Sequence, residues 1–158
     1  MRSFVLHERW PWLKEARDIR GQLLDLLRDA DLTFTPGGDN VPLGVLLCRL
    51  GEVERSYINS LQTFRQDWSA HPADDELAGS VPRLRAWYQT LDDELEATIA
   101  AFSDEDLGRL VDRGRLQATV ERQIAIYGEA LLLFYGKALV YLKALRKPVP
   151  EHILAYFD

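Results

Sequence analysis

One cysteine, Cys48, and three histidines are all that 158 residues contain of the usual soft metal ligands. A lone cysteine excludes an intramolecular disulfide framework. With no secretory segment at the start, a cytoplasmic setting is expected. His7, His71 and His152 fall before the first helix, in a polar loop and after the last prolines, and each reads as a surface or interface residue rather than a ligand. There is no Ser-His-Asp pattern, no glycine-rich phosphate loop and no Glu-x-x-His pair. No basic run exceeds Arg146-Lys147 and the formal charge is −6. Both weigh against nucleic acid, because non-specific binding to it is driven by phosphate neutralisation. A membrane partner is not expected either. The most apolar stretch, Ala130–Leu145, is too short to span a bilayer and contains Lys137 and Lys143.

What the chain does contain is helical periodicity. Its 47% hydrophobic and 28% charged content suits a folded soluble protein, and its length suits one domain over residues 1–158. Leu13, Ala16, Ile19, Leu23, Leu26 and Ala30 recur at steps of three and four, predicting a first helix from about Trp12 to Ala30. Gly37-Gly38 breaks the chain before a second helix, with Asn40 as its N-cap and Pro42 in the first turn. Leu43, Leu47, Leu50, Tyr57, Leu61, Phe64 and Trp68 hold one face of that helix, while Arg55, Asn59, Gln62 and Gln66 cover the other. His71–Ser80 is a polar connection long enough to cross the end of a bundle. A third helix spans about 81–102, a short one opens at Ser103 and runs to about Leu110, and a last long helix spans about 116–145, ended by Pro148 and Pro150. No strand array is visible. The fold class is all-α, a four-helix bundle with a long crossover loop between helices 2 and 3. After Ile124 the last helix is apolar around most of its circumference, which predicts a homodimer that shares one of its faces.

Three segments carry a family likeness: Pro42-Leu-Gly-Val-Leu-Leu-Cys-Arg-Leu-Gly-Glu-Val-Glu54, Ser103-Asp-Glu-Asp-Leu107 and Tyr135-Gly-Lys-Ala-Leu-Val-Tyr-Leu142. With the order of helices, they resemble the DinB/YfiT-like superfamily of bacterial four-helix bundles. In metal-binding members of that family, one histidine of the second helix and a His-x-x-x-His pair of the last helix hold a divalent metal. Residues four apart share a helix face, and a third ligand across the bundle completes the set. Aligned on the resemblance, those positions fall at Arg49, Ala130 and Phe134. A protonated guanidinium and two hydrocarbon side chains offer no lone pair to a metal.

The resemblance therefore implies a bundle with no metal and no cofactor. Arg49, Tyr127, Ala130 and Phe134 would surround the vacated pocket, where Arg49 could hold a small anionic ligand against aromatic side chains. The expected function is non-catalytic binding of a small ligand or a protein partner, in the stress setting from which the family is named. The alternative is a metal- or thiol-dependent transferase or isomerase with an altered site.

Overall fold

The structure is a computed structural model that describes residues 10–69 and 76–157. His7 and His71 lie outside the described residues. Four long helices form the bundle: α1 (Trp10–Asp25), α2 (Leu43–Thr63), α3 (Val81–Ala100) and α4 (Val120–Ala144). A two-stranded hairpin, β1 (Leu110–Asp112) and β2 (Gln117–Thr119), precedes α4, and a single turn, α5 (Glu151–Leu154), closes the chain. Both α1 and α2 pack beside α3 and α4. In cross-section α1 and α2 therefore face each other across the bundle axis. A side chain that joins them passes through the centre of the molecule.

The apolar stripes of the four long helices form the core, although Ala30 and Trp68, predicted to extend two of them, are exposed. Leu13, Ile19, Leu23, Leu43, Leu61, Leu84, Leu91, Leu95, Val120, Leu131 and Leu142 are buried to within a few per cent. Ser80 caps α3 by accepting from Arg83 N–H, and Thr119 caps α4 by accepting from Arg122 N–H.

The boundaries differ from the sequence reading in three places. Helix α1 ends at Asp25, not Ala30. Leu26 and Leu27 tighten to i−3 hydrogen bonds, and Arg28 turns extended. Aspartates then take over: the Asp31 carboxylate accepts from Arg28 N–H at 2.8 Å, and Asp29 accepts from Val81 N–H at 2.8 Å. Helix α2 begins after Pro42 without a side-chain cap, while Asn40 donates instead to the Gly37 carbonyl at 2.7 Å. Its end comes at Thr63, with Phe64 left-handed at φ 58°, so Gln66 and Trp68 lie beyond the helix.

The third difference is the hairpin. Gln117–Thr119, predicted to begin the last helix, pair instead with the residues that follow the short helix, as Leu110–Thr119, Val111–Ala118 and Asp112–Gln117, around a turn where Gly114 takes φ 87°. Val111 and Ala118 point inward and their neighbours outward. The hairpin is tied to the end of α2 by backbone bonds between Gln66 N–H and the Asp112 carbonyl, 2.7 Å, and between Asp112 N–H and the Phe64 carbonyl, 2.9 Å.

The segment after α4 is fastened to the segment after α1. Lys147 donates to Asp31 at 2.6 Å, and both side chains are largely buried. Burial alone would raise the Asp31 pKa, but hydrogen bonds from Lys147 and Arg28 outweigh it and hold the carboxyl below its usual value. A depressed carboxylate contributes stability that is present above its unfolded pKa of about 4 and is lost as pH falls through the folded value. Asp31→Asn is expected to cost about 1–3 kcal/mol at neutral pH. In urea titrations at stepped pH, that gap from wild type should shrink below about pH 4. A gap independent of pH would contradict the ion pair.

Candidate functional site

The centre of the bundle is charged. Arg17 and Arg20 of α1, Glu54 of α2, Asp92 of α3 and Tyr127 of α4 meet there. Glu54 is fully buried. Arg20 Nη1 donates to both Glu54 carboxylate oxygens, at 2.6 and 2.7 Å, and Arg20 Nη2 donates to Asp92 Oδ1 at 2.6 Å. The Tyr127 hydroxyl donates to Glu54 Oε2 at 2.6 Å. Arg17 makes close ionic contact with Asp92, and its Nε lies 3.8 Å from Glu54 Oε2. Neither of those Arg17 nitrogens is aligned for a hydrogen bond, so its contribution is electrostatic.

Tyr88 completes the surround, its ring 4.1 Å from the Arg20 guanidinium carbon and its hydroxyl donating to the Leu47 carbonyl at 2.6 Å. Two arginines and two carboxylates balance in charge. Burial opposes the charge on Arg20, but Glu54 and Asp92 outweigh it and raise its pKa above the usual value. Burial raises the Asp92 carboxyl, against the pull of Arg20 and Arg17. Burial, reinforced by the Glu54 charge, raises the Tyr127 phenol. Asp92 is a third exposed and opens onto a groove of about 290 Å³ between α1 and α3.

A second buried network lies toward the hairpin. Gln123 donates to Ser60 at 2.7 Å and to Gln66 at 2.6 Å, Gln66 donates to Ser56 at 2.6 Å, and Arg113 donates to the Gln123 oxygen at 2.5 Å. Each polar group here has a partner, which makes this network a fastener between α2, α4 and the hairpin. Gln66, expected on the solvent side of α2, is buried for this purpose.

The four residues predicted to share a pocket do not line one cavity. Tyr127 is buried on Glu54 in the charged centre. Phe134 lines a cavity of about 10 Å³ with Leu46, Leu47, Leu50, Arg20 and Tyr135, whose buried hydroxyl has no hydrogen-bond partner among the described residues. Ala130 is half-buried on α4. Arg49 is exposed and lines a pocket of about 240 Å³ between α2 and α4, together with Lys137, Asp39, Val41, Leu46 and Val140. Among the described residues neither Arg49 nor Lys137 has an acidic partner; Lys137 lies 5.4 Å from the Phe134 ring centroid.

The sequence reading missed Arg17, Arg20, Glu54, Asp92 and Lys137. A signal for Glu54 was present: it stands at the core register of Leu47, Leu50, Tyr57 and Leu61. Arg20 likewise stands in register with Leu13, Ala16, Leu23 and Leu27. A charge at a core position calls for a buried partner.

Four amphipathic helices around a buried ionic centre, with a long connection between α2 and α3, define a four-helix-bundle protein. A sequence model of the DinB superfamily matches residues 13–129. The chain belongs to the DinB superfamily. Its fold is similar to the crystal structure of a DinB-like protein, YjoA, from Bacillus subtilis, with a TM-score of 0.70 at 13% identity over 87% of this chain and 92% of that one. At that identity the likeness speaks to fold alone. No curated protein matches the chain. The family match stops one residue before Ala130 and takes in Arg49 but not Phe134.

The residues present do not fit the metal of metal-binding family members. Arg49, Ala130 and Phe134 supply no ligand atom, and among the described residues no group of three His, Cys, Asp or Glu side chains could hold a metal ion.

Proposed function

We propose that this chain is a metal-free, non-catalytic DinB bundle that binds a small monocarboxylate in the pocket between α2 and α4. The observation that carries the reading is the pairing of Arg49 with Lys137 on the wall of one 240 Å³ pocket, each without an acidic partner among the described residues. Two cations at one mouth favour an anion, and a guanidinium fits a carboxylate with two parallel hydrogen bonds. Asp39 on the same wall opposes a second negative charge, which disfavours phosphate. Val41, Leu46 and Val140 supply an apolar side for the body of the ligand.

Calorimetric titration with butyrate, benzoate and inorganic phosphate tests this. A carboxylate should bind in preference to phosphate, and Arg49→Ala and Lys137→Ala should each weaken it by about tenfold. Binding of none of the three, or binding indifferent to both substitutions, would overturn the site. Metal analysis of protein purified without an affinity tag tests the other half of the proposal, which a stoichiometric transition metal would refute.

A further inference from the structure

We propose that α4 forms a homodimer by packing antiparallel against α4 of a second copy, with the two-fold axis passing at Leu133. Helix α4 is the most apolar element of the chain, long and apolar enough by length and composition to cross a membrane, yet only 44% of its most apolar 18 residues are buried. Its inner face is spent on the bundle, where Gln123, Tyr127, Leu131, Tyr135 and Leu142 are buried. The outer stripe is Ile126, Glu129, Leu133, Lys137 and Val140, spaced by three and four. Leu133 is 70% exposed and Val140 57% exposed.

This stripe is symmetric about Leu133 in a particular way. An isologous two-fold contact centred there sets residue 129 of one copy against residue 137 of the other, and 126 against 140. Glu129 then meets the partner's Lys137 and Lys137 meets the partner's Glu129, while Ile126 meets the partner's Val140. Charges are opposite where the symmetry brings residues together, and apolar groups meet apolar groups. A parallel pairing would instead set Lys137 against Lys137 and Glu129 against Glu129, which costs free energy. The intrachain partner of Glu129 is Arg122, and both are more than half exposed, so that pair can rearrange at little cost. The charge pattern thus selects a second copy as the occupant, in one orientation.

Sedimentation over a concentration series, with folding checked by circular dichroism, is the test. Wild type should dimerise and Leu133→Asp should be monomeric. Glu129→Lys and Lys137→Glu should each weaken the dimer by about fivefold, and the double reversal should restore it. In a Cys48→Ala background, Leu133→Cys should cross-link to itself on oxidation and Glu129→Cys should not, because only the axis residue meets its own copy. A wild type that is monomeric throughout, a Leu133→Asp dimer of unchanged strength, or cross-linking at 129 without 133 would each overturn the proposal. Lys137 and Val140 belong to both the seam and the pocket wall, whereas Arg49 is not part of the α4 stripe. Arg49→Ala should therefore weaken anion binding by about tenfold and leave the dimer intact, which separates this test from that of the pocket.

Discussion

Glu54→Ala is expected to destabilise the protein by about 3–5 kcal/mol, the usual cost of removing one side of a buried ion pair. The carboxylate holds Arg20 through both oxygens and accepts from Tyr127, and it faces Arg17 Nε at 3.8 Å. Without it, two guanidinium groups share Asp92 alone and the Tyr127 hydroxyl loses its partner inside the core. The loss is a desolvation cost, and it does not follow that the intact cluster stabilises the fold. Replacing the whole set with apolar side chains of similar size (Arg17→Leu, Arg20→Met, Glu54→Leu, Asp92→Leu and Tyr127→Phe) should give a protein at least as stable as wild type, since such swaps are neutral or gain about 1–4 kcal/mol. Urea unfolding followed by tryptophan fluorescence measures both variants. A cost below about 1 kcal/mol for Glu54→Ala would mean that the centre is hydrated rather than dry.

Three helical glycines should respond in a definite order when changed to alanine. A Cβ on Gly44 would lie 1.9 Å from the Ala78 carbonyl oxygen, so backbone would have to move. On Gly51 it would lie 2.3 Å from the half-buried Trp87 ring, and on Gly128 it would lie 2.1 Å from the Trp12 ring. Trp12 is 40% exposed and can swing outward, which neither of the other neighbours can do as freely. Alanine is otherwise the better helix former by about 1 kcal/mol. The expected result is a loss of about 2–4 kcal/mol for Gly44→Ala, less for Gly51→Ala, and a change near zero for Gly128→Ala. Thermal unfolding of the three variants checks the order, and a Gly44→Ala protein as stable as wild type would refute the close contact between α2 and the turn before α3.

Much of the fold was legible in the chain because helical periodicity is a local property. The stripes of α1 to α4 needed only the spacing of apolar residues. The end of α1 was not legible for the opposite reason. Leu26, Leu27 and Ala30 continue its period, and the residues that stop it, Asp29 and Asp31, do so by binding Val81 and Lys147, which are distant in the chain. Strands of three residues are too short to show alternation, so the hairpin at 110–119 was read as the end of a short helix, a break and the start of the last helix.

For the site the division is sharper. Arg49 was visible as a charge without a role, and the resemblance placed it with Tyr127, Ala130 and Phe134. Lys137, the residue that shares its pocket, is 88 positions away, and the resemblance assigned it no role. The sequence by itself determined four amphipathic helices and the family they belong to. Tertiary structure alone decided that Arg20 crosses the bundle axis to Glu54, and that Arg49 turns outward beside Lys137. The reason is physical. A helix period states which residues share a face, but only the packing of α1 against α3 and α4 brings two faces to the same point.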